Sequence, residues 1–462
     1  MLFNSYVFVL VFLPLVTGLW WRLRGAEARL GLLTVASYVF YGWCEPRFTL
    51  LLFWTTAVDY ALSWRIHRAA GAARRRWLML SAAGNLATLG IFKYYDWFAG
   101  SVSTALHALG CDASLPVLGV VLPVGISFYT FQSLSYTADV YRGEIEPAPS
   151  FLHFACFVAM FHQLVAGPIV RYSELTRQLE KLEPAPVWRE MSLGVVFFTA
   201  GLVKKLCVAD PIAALVDPML AQHAHLGFLG AWTAVVGYMC QLYFDFSGYS
   251  DMAVGLGLWY GFKFARNFDS PYRADSVTDY WRRWHLTLGD WMRDYVFIPL
   301  GGSRCGVRRT AANLFVTFLL AGIWHGAAWN FVVFGLWMGV TLALHYLWRR
   351  AGYGLPRRWA QVCTLIVMGV TYALFRATSL EMAGHLLRAM YTGAGPRLAT
   401  EAAAYGWTVA VVVAAMGACV CLPNVWEMRF RPRPAHAVAL AAAMAGCILL
   451  MEAPSPFLYF QF

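Results

Sequence analysis

The chain alternates between long apolar runs and short segments rich in arginine. Most of the runs approach about 20 residues, the length of helix that crosses a bilayer. Because backbone groups inside a bilayer must be hydrogen-bonded within their own segment, we predict that these runs are helices. In chain order the runs are Phe3–Trp21, Leu30–Trp43, Phe48–Trp64, Trp77–Phe98, Leu122–Val140, Phe151–Val170, Met191–Val203, Phe228–Phe244, Met252–Phe262, Thr310–Trp348, Trp359–Phe375, Tyr405–Pro423 and His436–Met451.

The loops between these runs differ in charge, and the difference predicts an orientation. Arginines follow the first run, and Arg65–Arg76 after the third run carries five arginines and no acidic residue. Because arginine collects in cytoplasmic loops, we assign both segments to the cytoplasm and the N-terminus to the opposite side. The first run lacks the basic start and cleavage site of a signal peptide, so we expect Met1–Trp21 to remain as the first span.

In total, the pattern predicts an all-α, polytopic integral membrane protein with about 11 to 13 membrane segments, some of them re-entrant or interfacial. No repeat or soluble segment interrupts it, so residues 1–462 are predicted to form a single domain. Arg171–Arg189 and Lys263–Arg309 mix charges with apolar residues and are predicted to form amphipathic or partly inserted helices. Within Phe151–Val170, the pair Gly167-Pro168 is predicted to end the helix.

The run Thr310–Trp348 is too long for one crossing. As a helix it would extend about 58 Å, against a hydrocarbon core of about 30 Å. Arginine pairs precede and follow it, so both ends are assigned to the cytoplasm, with a turn predicted at Gly322–Asn330. The first leg, Thr310–Trp324, would be only about 22 Å long. His325 is therefore expected deep in the protein, at a broken helix that lines an enclosed cavity.

Composition supports a membrane protein and narrows the range of partners. The chain is 60% hydrophobic and 13% charged, whereas soluble domains are about a quarter charged. The net charge of +11 is explained by arginines in cytoplasmic loops and by binding of lipid headgroups or a phosphorylated cofactor. We therefore predict no nucleic-acid partner. The ten cysteines form no CxxC pair and lie mostly in apolar runs, which argues against a disulfide framework or a zinc site.

An imidazole in an uncharged apolar run has two interpretations. His325 is either a neutral core residue bonded to backbone carbonyls or a general base, since imidazole titrates near neutral pH. Ionisable groups inside membranes are functional by default, which keeps the second interpretation open. His162 and His345 lie nearer the ends of predicted spans and are weaker candidates.

A second histidine, His285, follows the dense tryptophan and arginine group of YWRRWH. The group is either an interfacial anchor or a cytoplasmic pocket for an anionic cofactor. In such a pocket the guanidinium groups would bind phosphate and an indole would stack on a base.

The segment DFSGYSD places Asp245 and Asp251 in an apolar region, where carboxylates are unusual. Three roles are open for these carboxylates: binding a cation, accepting hydrogen bonds from neighbouring helix ends, or pairing with arginine. No metal-ligand spacing occurs, so we predict no metal. Neither a GxSxG nucleophile elbow nor a Walker A loop is present.

The most distinctive stretches are YFDFSGYSDMAVG, NFDSPYRADSVTDYWRRWHLTLGDWMRDYVFIPLGG and AGIWHGAAWNFVVFGLWMG. Together they resemble the membrane-bound O-acyltransferase family. FNSYVFVLVFLPL near the N-terminus, YGWCEPRF and the terminal PFLYFQF resemble its bacterial branch, which contains the membrane subunit of alginate O-acetyltransferase. The resemblance runs nearly end to end. It implies transfer of an acyl group from a thioester to a hydroxyl, in a helical domain pierced by a central catalytic tunnel.

The resemblance also implies roles for residues. His325 matches the catalytic histidine of the family and is expected to deprotonate the attacking hydroxyl. His285 matches the second characteristic position and is expected to orient the thioester or share the proton transfer. The oxyanion and the groups supporting it are expected to involve Trp324, Asn330, Tyr249 and Asp251. The phosphates and base of the donor are expected to contact Arg282, Arg283, Arg293, Trp281 and Trp284.

The implied donor is cytoplasmic acetyl-CoA, used as a substrate, with no permanently bound cofactor. The implied setting is the bacterial inner membrane, with a periplasmic acetyltransferase or acetyl-carrier protein of an exopolysaccharide system as partner and alginate as the preferred polymer. Acetylation of peptidoglycan or cellulose, and D-alanyl transfer to teichoic acid by a related branch, stay open. A transporter without chemistry also stays open, although the paired repeats typical of transporters are absent.

Overall fold

The computed structural model describes residues 1–182, 185–393, 395–428, 430, 433–452 and 455–458. These residues form helices and connecting segments without a β-strand, which confirms the all-α prediction. Short π-helical segments at Val7–Phe12, Gly90–Tyr94, Val203–Ala209 and Arg293–Phe297 directly precede or follow some of the α-helices. In chain order the α-helices are α1 (Leu13–Arg22), α2 (Ala26–Gly42), α3 (Arg47–Arg68), α4 (Gly71–Leu89), α5 (Tyr95–Ala108), α6 (Ile126–Arg142), α7 (Phe151–Ala159), α8 (Tyr172–Glu180), α9 (Trp188–Leu202), α10 (Asp210–Ala221), α11 (Phe228–Trp259), α12 (Val277–Trp281), α13 (Leu286–Met292), α14 (Val307–His325), α15 (Trp329–Arg350), α16 (Arg357–Arg376), α17 (Leu380–Thr392), α18 (Leu398–Cys421) and α19 (Pro434–Leu449).

The chain divides into two compact units. One comprises Met1–Phe198 and Met252–Ala265, and the other comprises Thr199–Asp251 and Arg266–Phe462. All of the candidate site residues lie in the second unit. The prediction of one domain over residues 1–462 stays a prediction.

Several helices have the dimensions of membrane spans. In the part of the chain that is described, the stretches Trp188–Ala221, Trp329–Arg350, Arg357–Arg376 and Leu398–Cys421 are long and apolar enough to cross a bilayer. Val7–Arg22 and Pro434–Leu449 are shorter apolar helices. The predicted number of segments and the orientation of the N-terminus stay predictions.

Helix α7 ends at Ala159, before Gly167-Pro168 is reached, so the predicted end of this helix is wrong. From residue 160 to residue 170 the chain is irregular and every residue is buried. The Gln163 side chain donates a hydrogen bond back to the Phe157 carbonyl at 2.9 Å. A Cβ on Gly167 would lie 2.6 Å from the Gln163 Cα, so this turn requires glycine. After Ala159, a hydrogen bond from a side chain therefore takes the place of helical backbone hydrogen bonds.

Helix α11 runs straight through the DFSGYSD segment, although the sequence predicts two separate runs there. It has 32 residues and is about 48 Å long. Asp245 pairs with Lys205 and Asp251 pairs with Lys204, each with a shortest N–O distance of 2.6 Å. Because each carboxylate is paired with a lysine, the acidic residues do not end the helix, and among the described residues their ion-pair partners are lysines.

Helices α14 and α15 form the predicted hairpin. Helix α14 ends at His325 and α15 begins at Trp329, so the turn falls inside the predicted segment and the prediction is confirmed. The first leg has 19 residues, about 28 Å, because it begins at Val307 rather than Thr310. The legs approach closely at glycine: a Cβ on Gly322 would lie 2.6 Å from the Gly335 nitrogen. Small residues permit this approach between membrane helices.

The residues near the C-terminus pack on the same lysine and aspartate side chains. The Leu458 N–H donates to Asp245 Oδ2 at 2.9 Å, and Lys205 Nζ donates to the Pro456 carbonyl at 3.2 Å. The buried Phe457 ring lies 4.9 Å from Tyr249, between ring centroids. The last four residues of PFLYFQF lie outside the described residues.

Candidate active site

His285 and His325 line one cavity of about 1300 Å³ in the second unit. Its walls come from α12 to α16 and the segments that connect them. The structure therefore brings together the two histidines that the sequence singles out. Other charged or titratable side chains in the lining are Asp275, Asp279, Arg282, Asp290, Arg293, His345, Tyr346, Arg349, Cys363 and Arg357.

His325 is the last residue of α14, and Gly326 continues in extended backbone. Its imidazole is half-buried and is surrounded by aromatic rings. Phe375 and Phe334 present edges to it, with centroid distances of 5.2 and 5.8 Å, and Trp324 lies at 4.9 Å. The abrupt end of α14 thus directs an imidazole into an aromatic wall of the cavity.

His285 directly precedes α13 and has a φ of +46°, which is rare for a residue with a side chain. Its Nδ1 lies 3.0 Å from Asn267 Oδ1, and the ring meets Phe246 edge-on at 4.8 Å. Burial lowers the pKa of His285 to about 3, so the ring is neutral at pH 7. The two histidines of the cavity therefore have different surroundings.

The arginines predicted to bind phosphate fall into two groups. Arg283 is held by Asp279 at 2.9 Å and is not part of the cavity lining. Arg293 lines the cavity but pairs with Asp290 at 2.6 Å and with Asp294 at 2.7 Å. Their charges are therefore already balanced.

Arg282, Arg349 and Arg357 are exposed, line the cavity and make no ion pair among the described residues. They are the guanidinium groups that remain available to an anionic ligand. Sequence reasoning selected only Arg282, although the basic flank after Trp348 was a signal for Arg349.

Trp281 and Trp284 line the cavity, but both indoles already contact protein rings. Trp284 stacks on Tyr280, with centroids 6.0 Å apart, and Trp281 meets Phe318 edge-on at 5.7 Å. These contacts favour a structural role in the wall over stacking on a base.

The four residues predicted to support the oxyanion lie outside the cavity lining. The Asn330 amide donates to the Ala377 carbonyl at 2.7 Å, so it is committed to the backbone. Asp251 binds Lys204, Tyr249 packs against the C-terminal segment, and Trp324 is buried. Their catalytic roles stay predictions.

Sequence reasoning missed the partners of the acidic residues and of His285. Lys204 and Lys205 directly follow the apolar run Met191–Val203, and two lysines and two aspartates in apolar surroundings are a signal for pairing. No local sequence pattern indicated that Asn267 contacts His285. Among the described residues, no group of three or more His, Cys, Asp or Glu side chains is arranged to hold a metal ion.

Comparison with known proteins gives a consistent result. The family model described as membrane-bound O-acyltransferase matches residues 47–352. A probable alginate O-acetylase of Pseudomonas aeruginosa is 41% identical over 85% of this chain and 75% of its own length. A peptidoglycan O-acetyltransferase of Helicobacter pylori is 35% identical over 84% of this chain and 80% of its own length.

A more distant relative is a teichoic acid D-alanyltransferase of Bacillus subtilis, which is 26% identical over 53% of this chain and 65% of its own length. The family match covers both cavity histidines and the helices that carry them. The chain therefore belongs to the membrane-bound O-acyltransferase family and is an O-acyltransferase of the membrane.

Proposed function

We propose that the chain is an O-acetyltransferase that takes acetyl from cytoplasmic acetyl-CoA and passes it across the membrane for O-acetylation of an exported polysaccharide, with alginate preferred. The observation that carries the proposal is the single cavity shared by His285, His325 and three arginines without acidic partners among the described residues. The similarity to the alginate O-acetylase supports the choice of acyl group and polymer.

The available arginines suit a phosphorylated donor. Guanidinium groups bind phosphate oxygens through two parallel hydrogen bonds, and Arg282, Arg349 and Arg357 offer theirs at one cavity. Arg349 lies at the end of α15 that is assigned to the cytoplasm, the compartment of acetyl-CoA. In this proposal Arg283 and Arg293 shape the site and do not bind the donor.

The chemical step needs one general base, which takes a proton from the acceptor and returns it to the leaving group. The hydroxyl oxygen of the acceptor attacks the thioester carbon while His325 takes the hydroxyl proton. The carbon–sulfur bond then breaks, and the imidazolium returns the proton to the leaving thiolate, which gives free CoA. The end of α14 supports this step, because the negative end of the helix dipole stabilises the imidazolium that forms. His285 orients the reacting groups.

The setting follows from the same orientation. The chain is proposed to lie in the bacterial inner membrane with its N-terminus in the periplasm, where a periplasmic acetyltransferase or acetyl-carrier protein receives the acetyl group. Acetylation of peptidoglycan is the second candidate, and the 35% identical peptidoglycan O-acetyltransferase favours it. Radiolabelled acetate recovered in isolated polymer, exopolysaccharide or peptidoglycan, separates the two acceptors in cells.

The test uses the full chain in proteoliposomes with acetyl-CoA, and a thiol reagent follows the release of CoA. We expect His325→Ala to lower the rate about 10²-fold or more, the usual effect of removing a general base. His153→Ala, which removes a half-buried imidazole from α7, is the control and should keep the wild-type rate.

Full CoA release and full polymer acetylation by His325→Ala would show that the assigned base is wrong. If the wild-type protein releases CoA only at the background rate with every acceptor that is supplied, the result would instead favour transport without chemistry. Parallel measurement of polymer acetylation in cells distinguishes a missing partner from an inactive enzyme.

A further inference from the structure

The Asn267 side chain connects His285 to the neighbouring elements of the second unit. Its Oδ1 lies 3.0 Å from His285 Nδ1, 2.9 Å from Thr287 Oγ1 and 3.4 Å from the Thr287 backbone nitrogen. Its Nδ2 donates to Ser250 Oγ of α11 at 3.1 Å, and its carbonyl accepts the Leu286 N–H at 2.9 Å. The residue is 2% exposed. One buried side-chain amide therefore bonds both α11 and the residues at the start of α13.

These contacts fix which way the amide points. A backbone N–H only donates, so the Asn267 atom that faces the Thr287 nitrogen is the oxygen. The same oxygen faces His285 Nδ1. An oxygen only accepts, so Nδ1 of the neutral imidazole carries the hydrogen and Nε2 carries the lone pair.

The backbone and the neighbouring rings fix the imidazole as well. A left-handed conformation at a histidine persists only where surrounding contacts determine it. The bond from Leu286 N–H to the Asn267 carbonyl fixes the backbone directly after His285. Phe246 lies edge-on to the ring, and Phe268 lies at 6.4 Å with an interplanar angle of 28°. A half-turn of the ring, which would place Cδ2 where Nδ1 lies, is thereby opposed.

We infer that Asn267 is a positioning residue that holds His285 as the Nδ1–H tautomer, with Nε2 as a hydrogen-bond acceptor toward the substrate. The inference rests on the proposed function. It assigns His285 a specific part in that function: the ring receives a hydroxyl or amide N–H of a bound substrate. It does not donate to the thioester carbonyl or to the oxyanion, so another group performs that task.

The principal variant is Asn267→Asp, which has the same shape. Its carboxylate still accepts from His285, from Thr287 and, after rotation of the hydroxyl, from Ser250. A carboxylate beside Nδ1–H favours the imidazolium and raises the pKa of His285. Below that raised pKa, Nε2 is protonated and no longer accepts. The activity of the variant should therefore fall as the pH falls, about tenfold from pH 8 to pH 6, whereas the wild type loses no activity to His285 in this range.

Asn424→Asp is the matched control, because Asn424 is also a buried amide with the same kind of partners. Its Nδ2 donates to Ser270 Oγ at 2.9 Å, and its Oδ1 accepts from the Trp426 and Glu427 N–H groups, but it contacts no histidine. It should show no additional acid limb. A third variant, Asn267→Leu, removes the acceptor of His285 Nδ1 together with the bonds to Thr287 and Ser250, and it should lower kcat at least about tenfold at every pH.

Other titratable groups near His285 are the same in all variants, so the differences between profiles report on Asn267. On α11, Asp245 and Asp251 are paired with Lys205 and Lys204. On the segment before His285, Asp269 contacts Arg266 and Arg283. The cavity contributes the side chains Asp275, Asp279, Arg282, Asp290, Arg293, His325, His345, Tyr346, Arg349, Arg357 and Cys363.

A second measurement requires no change at Asn267. Nitrogen-15 NMR of the histidine-labelled wild-type protein, with the His285 signal assigned by its loss in His285→Asn, distinguishes the two tautomers. A protonated Nδ1 and an unprotonated Nε2 are expected. An Nε2–H tautomer, or an Asn267→Asp profile identical to the wild type in folded protein, overturns the inference. His325→Ala tests the proposed function independently, because its loss of CoA release does not depend on the His285 tautomer.

Discussion

The ion pair between Lys205 and Asp245 should contribute strongly to stability only while both partners are present. The side chains are 2% and 1% exposed, and Nζ lies 2.6 Å from Oδ1. Lys205 also lies 3.0 Å from the half-exposed Asp210, and Asp245 accepts the Leu458 N–H. The pair joins the π-helical segment after α9 to α11, which carries Phe246 and Ser250 to the surroundings of His285.

The magnitude follows from this burial. Lys205→Met leaves a buried carboxylate without its cation and should lower the free energy of unfolding by about 3–5 kcal/mol. Asp245→Leu leaves the ammonium with the partly exposed Asp210 and the Pro456 carbonyl, and it should cost a similar amount. The double variant removes both charges at similar volume. It should lose only about 1–3 kcal/mol, the cost of the Leu458 N–H left without an acceptor. The effects of the single variants are therefore strongly non-additive.

The assay is chemical unfolding of the purified protein in detergent, followed by tryptophan fluorescence, with CoA release measured on the same samples. Arg47→Met is the control, because Arg47 pairs with Glu45 at the surface with 83% of its side chain exposed, and the free energy of unfolding should stay close to the wild-type value. The reasoning is refuted if the double variant loses the sum of the two single losses, or if Lys205→Met behaves like the surface control.

Two further changes test the hairpin and the donor site. Gly322→Ala places a methyl group against the Gly335 backbone, so α14 and α15 must separate. We expect the free energy of unfolding to fall by about 1–3 kcal/mol. CoA release should also fall, because His325 is the last residue of α14. Gly84→Ala in α4, where a Cβ meets nothing within 4 Å, should change neither quantity appreciably, and equal behaviour of both variants would contradict the packing argument. Arg349→Gln should raise KM for acetyl-CoA about tenfold with little change in kcat, the result of losing one charge-assisted contact with the donor. Arg350→Gln, at the adjacent arginine that bonds Tyr346 and does not line the cavity, is its control, and equal KM values for the two variants would remove Arg349 from the donor site.

The sequence by itself determined the features that depend on short segments. The length of the uncharged run after Arg309 and the arginines at its ends required a hairpin, and they predicted the turn next to His325. The length of the apolar runs gave the helical class, because the backbone of each segment inside a bilayer must be hydrogen-bonded within that segment. The motifs around His285 and His325 were sufficient to name the family, which the comparisons confirm.

Only the tertiary structure decided which distant side chains meet. The continuity of α11 depends on Lys204 and Lys205, which precede their partners by 47 and 40 residues, and no local pattern encodes that pairing. In the same way, charge alone did not separate Arg283, bound to Asp279, from Arg349, which remains available. The position of Asn267 beside His285 also arises from packing. Pairing energies of this kind exist only after the helices have assembled, so the chemistry of the cavity is decided by contacts that the linear pattern does not contain.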